Sequence, residues 1–264
     1  MPSRGVRAEW PDSMSASDSL ADPIACFGDC RDCGRLHELP VGNARAHALE
    51  LMREFEELQR LDYLVGEADA DPLLSFSHLF PGGHGNMFGV LECVDANGET
   101  VVLRAFSSLR RGIREIDGWV LPILSAQTYF GVIVPAQREI EDMTAALCGL
   151  ESGSTEHSDL LRERKRASRK LFDEMRSRYR FHNFRGEERV LEDALWPPRA
   201  APGGVGECCA PKLLDHASRN GLRPRGLAEF YWGDNGSKKS GEFYPSCESR
   251  CRPILGFLLC GLDA

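Results

Sequence analysis

Two cysteine-bearing stretches near the C-terminus constrain this chain more than anything else in it. Gly206-Glu207-Cys208-Cys209-Ala210-Pro211-Lys212-Leu213-Leu214 opens one candidate helix, and Tyr244-Pro245-Ser246-Cys247-Glu248-Ser249-Arg250-Cys251 opens another. Between them lies Leu227-Ala228-Glu229-Phe230-Tyr231-Trp232, an apolar run that reads as a strand. Cysteines placed at two helix starts on either side of a strand can converge on one tetrahedral zinc, because a helix N-terminus favours the thiolate that the metal requires. Cys208, Cys247 and Cys251 are the candidate ligands, with Cys209 or His216 as the fourth.

This order of helix, strand and knuckle is the one used by zinc-dependent cytidine-deaminase-like folds. Deamination also needs a glutamate two residues beyond the first ligand, to take a proton from the metal-bound water and return it to the leaving amine. Ala210 stands there instead. Glu207 and Glu229 are the substitute proton shuttles, and a solvated turn carboxylate and a strand-end carboxylate are their plainer readings. The knuckle spacer is three residues where two are usual.

A second cluster, Cys26-x3-Cys30-x2-Cys33-x3-His37, has zinc-ligand spacing by itself. Its alternative is a set of free surface thiols. Of the remaining cysteines, Cys93, Cys148 and Cys260 sit singly among apolar neighbours and read as small buried hydrophobes. Ten cysteines spread over 264 residues with no export signal suit reduced thiols or metal ligands better than a disulfide scaffold. The expected location is cytoplasmic, with no membrane partner.

The chain carries a net charge of -8, which argues against bulk attraction to nucleic acid. One segment departs from that balance. Arg162, Arg164, Lys165, Arg166, Arg169, Lys170, Arg176 and Arg178 crowd a single helical stretch, followed by Tyr179, Phe181 and Phe184. Basic groups pair with phosphates and aromatic rings stack on unpaired bases, so this is the candidate RNA-facing surface, with a solvated charged helix as its alternative.

Residues 1–22 read as a disordered leader; their Arg and Ser also suit a transit peptide, against which Glu9, Asp12, Asp18 and Asp22 speak. A mixed α/β part follows over 23–135. It opens with an amphipathic helix from Ala44 to Val65, in which Leu49, Met52, Phe55, Leu58, Leu61 and Leu64 recur at three-residue spacing. A hairpin then turns at Asp95-Ala96-Asn97-Gly98, and short strands are expected at 118–121 and 129–134. A helical hairpin or spur occupies 136–196, and Trp196-Pro197-Pro198 with Pro202-Gly203-Gly204 reads as a linker to a cysteine-bearing, deaminase-like segment at 203–264. The fold class expected is α+β, or α/β, with a small mixed sheet.

Several stretches resemble the N-terminal region of a subset of RluA family RNA pseudouridine synthases. They are Gly85-Asn86-Met87-Phe88-Gly89-Val90-Leu91, Arg104-Ala105-Phe106-Ser107, Asp173-Glu174-Met175-Arg176-Ser177-Arg178, Gly206 to Leu214, Ala228-Glu229-Phe230-Tyr231-Trp232-Gly233, Gly241 to Cys247, Cys251 with Pro253-Ile254-Leu255, and Gly261-Leu262-Asp263. In that family a catalytic domain follows, marked by His-Arg-Leu-Asp and then Thr-Ser-Gly. Here only Gln59-Arg60-Leu61-Asp62 approaches the first signature, and it lacks the histidine. The resemblance therefore implies a non-catalytic accessory module in RNA modification, with RNA or a pseudouridine synthase catalytic domain as partner. A zinc-dependent nucleoside or nucleobase deaminase and a metal-free interaction domain are the alternatives.

Overall fold

The computed structural model describes residues 22–80, 84–107, 113–198, 203–234 and 238–262. The proposed leader lies outside these apart from Asp22, whose carboxylate accepts the Gly42 backbone N–H at 2.9 Å. The chain is an α+β protein built on small antiparallel sheets.

β1 (Ile24–Asp29) and β2 (Leu36–Pro40) form an antiparallel hairpin, and α1 (Ala44–Leu58) follows directly. α1 ends at Gln59, which adopts a left-handed φ of 53°, so the helix stops seven residues short of Val65. Apolar residues every three positions drift around a helix of 3.6 residues per turn. The stripe that actually seats α1 is Ala44, Ala48, Leu51, Met52 and Phe55, all buried, whereas Leu49 and Leu58 face outward.

After a short turn, α2 (Phe76–Leu79), the chain enters β3 (Gly85–Val94) and returns through β4 (Thr100–Phe106). The Asp95 carboxylate ties the turn by accepting the backbone N–H groups of Asn97 and Glu99, and Gly98 sits at φ 83°. Neither expected short strand forms. Residues 118–121 make one backbone bond to β4, from the Val120 N–H to the Arg104 carbonyl, and remain a loop around the buried Trp119. Residues 129–133 form a π-helical turn between α3 (Ala126–Thr128) and α4 (Val134–Cys148), because helical backbone on both sides overrides the β-branched local sequence.

α4 and α5 (Thr155–Arg178) lie side by side as the expected helical hairpin, and neither contains a fully buried residue. A second small hairpin, β5 (Arg180–His182) and β6 (Glu188–Val190), leads to α6 (Leu191–Ala194). α7 (Cys209–Arg219), β7 (Arg223–Gly233) and α8 (Arg252–Leu258) complete the chain.

The main sheet has the order β4-β3-β7. β3 pairs antiparallel with β7 over ten registered positions from Gly85↔Gly233 to Val94↔Arg223. The linker at 196–204 therefore does not separate two folding units: the strand after it completes the sheet begun before it, and one apolar core runs through both parts. Two layers of helix flank this sheet. Phe88 meets Phe55 of α1 with ring centroids 4.8 Å apart, while its neighbour Gly89 abuts Cys209 and Leu213 of α7. Adjacent strand residues point to opposite faces, which places α1 on one face and α7 on the other.

The free edge of β7 is covered by the segment leading to the knuckle. Tyr231 N–H donates to the Glu242 carbonyl and Tyr244 N–H to the Glu229 carbonyl, and Ser246 N–H then reaches the Ala25 carbonyl of β1. Chain order alone thus carries Cys247 to the junction of β7 and the first hairpin.

Candidate metal centre

Cys30, Cys33, His37 and Cys260 come together, one potential ligand atom from each lying within 4.8 Å of all the others. Three thiols and one imidazole at such separations are a donor set that could hold a metal ion. The turn between β1 and β2 builds most of it. Gly34 N–H donates to the Cys30 carbonyl at 3.0 Å and Cys30 N–H to the Arg35 carbonyl at 2.9 Å, closing a tight loop that needs Gly34 at φ 67°. Cys33 Sγ lies 3.1 Å from His37 Nε2. Asp32, inside the same loop, pairs with Arg189 of β6 at 2.8 Å and fixes the turn against the second hairpin.

The fourth donor comes from the other end of the chain. α8 packs on β1 so closely that a Cβ on Gly256 would stand 2.1 Å from the Asp29 carbonyl oxygen, and one on Gly28 would stand 2.2 Å from the Gly256 nitrogen. This glycine-to-glycine contact brings Cys260, just beyond the end of α8, onto Cys30. Cys260 is not an isolated apolar-site thiol as its sequence neighbours imply. Cys93 is buried as expected, whereas Cys148 is exposed near the end of α4.

Cys26 does not join the cluster. It lies in the middle of β1, and four extended residues at about 3.3 Å each carry it roughly 13 Å from Cys30. Burial and the nearby Glu229 carboxylate both push its thiol up, which keeps it protonated. Within the cluster the electrostatics differ. Burial opposes a Cys33 thiolate, but bonds from the Arg35 backbone, the Cys30 thiol and His37 outweigh it and bring the group to about 6. Cys260 is pushed up to about 12 by burial and by its bond with Cys30, partly offset by Arg185.

The C-terminal trio sits at the starts of α7 and α8. Cys208 and Cys251 occupy the N-cap positions of α7 and α8 without side-chain capping bonds, and the Cys247 carbonyl accepts the N–H groups of Cys251 at 3.0 Å and Arg252 at 3.1 Å. The three thiols lie near enough to shift one another's titration, but among the described residues the group that could hold a metal ion is Cys30, Cys33, His37 and Cys260 and not this trio. Bonds from Cys208 and Cys251 hold Cys247 as a thiolate far below the ordinary thiol range; the same bonds raise Cys208 to about 12 and Cys251 well above its usual value.

Neither candidate fourth ligand reaches the trio. Cys209 turns into the sheet and donates from Sγ to the Met87 carbonyl at 3.4 Å. His216 is eight residues along α7 from Cys208, about 12 Å of helical rise, and lines a separate pocket with Lys212 and Arg219.

The two carboxylates part company as well. Glu207 is engaged by the Tyr179 hydroxyl and by Arg114. Glu229 is fully enclosed beside the trio, where one oxygen accepts the Ala210 N–H at 3.0 Å and the other the Ser246 hydroxyl at 2.8 Å. Burial raises its pKa against the pull of those two bonds. A cavity of about 10 Å3 lined by Ala25, Val41, Arg45, Glu229 and Phe243 has room for one water, and none of the trio lines it.

The basic residues of α5 divide into two groups. Arg162 pairs with Asp159, Arg178 with Glu174, and Arg176 with Glu192 and, more loosely, Asp173. Lys165, Arg166, Arg169 and Lys170 are exposed, and with Arg162 they follow the spacing of one helical face; Arg164 is half-buried. The aromatic residues after this helix do not extend the surface: Tyr179 and Phe181 stack on each other in the core, 3% and 0% exposed. Asp62, inside the nearest approach to the synthase signature, accepts the Asp71 N–H and pairs with Arg60, which is a turn-fixing role.

Comparison with protein-family models, with curated proteins and with solved structures returns no match for this chain. Among the described residues, no helix is long and apolar enough to cross a membrane.

Proposed function

We propose that this chain is a zinc-stabilised, non-catalytic module that acts in RNA modification by binding RNA. The observation that carries the reading is the exposed stripe of Arg162, Lys165, Arg166, Arg169 and Lys170 on α5, a local cationic face on an acidic protein. Side chains at this spacing meet successive phosphates of a backbone, and without exposed rings beside them the contact is to phosphate more than to base. The resemblance to the N-terminal region of RluA-type synthases supports the same context, and under it a synthase catalytic domain is the other partner.

Zinc is the metal proposed for Cys30, Cys33, His37 and Cys260, because three thiolates and one imidazole are its closed, structural ligand set. A closed set leaves no coordination position for substrate. One observation favours the deaminase reading, namely the three thiols of Cys208, Cys247 and Cys251 beside Glu229. Against it, both Glu229 oxygens are already engaged, and the trio is not among the residues whose ligand atoms come together.

The RNA reading is tested by reversing Lys165, Arg166 and Arg169 to glutamate and following RNA binding by fluorescence anisotropy across a salt series. Each lost phosphate contact flattens the slope of log K against log salt by about 0.7 to 0.9, so the triple variant should lose roughly two units of slope. An unchanged slope would remove the stripe from the interface.

A further inference from the structure

A second face of the molecule carries a different anomaly. The side chain of Lys212 is 2% exposed, and its ammonium donates to the Phe106 carbonyl and lies 5.2 Å over the Phe106 ring. An ammonium has three donors, and a carbonyl accounts for one of them without neutralising the charge. The carboxylate that acts on it electrostatically is Glu207, which Tyr179 and Arg114 already hold. A buried cation without an ion-pair partner is costly unless something brings it an opposite charge.

Lys212 lines a pocket of about 290 Å3, just below the usual range for ligand sites, ~300–1,000 Å3. His216 and Arg219 follow it at helical spacing on the same face of α7, and loop 121–123 forms the opposite wall with Leu121, Pro122 and Ile123. The acid in the lining, Asp215, is already answered: His182 bonds it through both its backbone N–H at 2.8 Å and its ring at 2.9 Å, and Arg219 lies 3.7 Å away. The lining therefore holds two cationic side chains, Lys212 and Arg219, against one carboxylate that Arg219 shares with His182, together with one polar ring and an apolar wall.

We propose that this pocket binds the phosphate group of a small phosphomonoester, with Lys212 and Arg219 as its counter-charges, His216 as a polar contact and loop 121–123 against the organic part. A phosphate brings between one and two negative charges and several acceptor oxygens, enough to pair with the guanidinium of Arg219 and to favour the charged form of Lys212 that burial opposes. The apolar wall distinguishes an organic phosphate from the free ion, because it gives a base or sugar a surface to cover.

Isothermal titration of the full chain tests this with inorganic phosphate, uridine 5′-monophosphate, uridine, and a short RNA with and without a 5′-phosphate. The monophosphate should bind saturably and more tightly than inorganic phosphate, and uridine should not bind. Arg219→Glu changes an exposed side chain but also ends its pairing with the buried Asp215, so circular dichroism checks its fold as well; it should weaken binding by at least roughly ten- to hundredfold, the cost of losing a charge-assisted contact. Lys212→Met should abolish binding where circular dichroism shows a folded variant, and where it does not fold, Arg219→Glu carries the test. Competition by the phosphorylated RNA alone would make an RNA end the source of the phosphate; competition by the mononucleotide alone would make it a free nucleotide. No saturable binding of any phosphate, or binding that survives Arg219→Glu unchanged, overturns the proposal. The stripe on α5 is untouched by both variants, so failure here leaves the RNA reading standing.

Discussion

If zinc occupies the proposed site, replacing Cys260 with serine should lower zinc affinity by more than the roughly 10- to 100-fold that loss of an outer-shell partner costs, because it would remove one of the four proposed donors. A metal bound only by the folded chain stabilises it by mass action, so a hundredfold loss of affinity withdraws about 2.7 kcal/mol. For a chain of this size that corresponds to a fall in Tm of roughly 5–10 °C. Calorimetry of the zinc-loaded wild type and variant reads both quantities. His37→Ala should behave in the same way, while Cys26→Ser should leave affinity unchanged, since Cys26 lies in the middle of β1 and outside the cluster. Equal zinc affinity in wild type and Cys260→Ser would show that the C-terminal thiol is not a ligand.

The second large effect is expected at Gly256. On helix propensity alone, Gly256→Ala should stabilise α8 by about 1 kcal/mol. The tertiary contact reverses the sign. The new Cβ would stand 2.1 Å from the Asp29 carbonyl oxygen and 2.9 Å from the Cys30 nitrogen, and both neighbours are backbone that cannot rotate away. Overpacking typically costs about 1–3 kcal/mol, and against backbone that cannot rotate away the upper end applies, which outweighs the propensity gain. Because α8 also delivers Cys260 to the cluster, the displaced helix should weaken metal binding along with stability. Urea denaturation gives the loss as a shifted midpoint, and a variant as stable as wild type would mean that α8 does not sit on β1 as described.

Much of the main sheet was legible in the sequence because its cues are local. The Asp95-Ala96-Asn97-Gly98 turn announces the hairpin, and Pro211 in the first turn with Gly221 past the end brackets α7. The order of α7, β7 and α8 follows from the same kind of cue. What could not be read is whatever depends on packing between distant segments. Cys260 looks like any thiol in an apolar helix end, and only the approach of Gly28 to Gly256 turns it into a fourth donor. Tyr179 and Phe181 look like stacking platforms beside a basic helix, yet strand β5 folds them inward against Gly206.

The misread segments fail for physical reasons of the same kind. The run at 129–134 has the residues of a strand, but it is flanked by turns of helix that propagate through it. The proline- and glycine-rich stretch at 196–204 has the composition of an interdomain linker, although β7 beyond it pairs with β3 before it along ten positions. Linker composition reports local flexibility of the sequence and says nothing about what the two flanking segments bury against each other.

Cadmium–proton correlation NMR on the cadmium-substituted protein tests the central claim most directly, since scalar coupling runs only through metal–ligand bonds. One cadmium resonance should couple to the β-protons of Cys30, Cys33 and Cys260 and to the ring of His37. Coupling to Cys26 in place of Cys260, or a metal signal with no coupling to this set, would contradict the account.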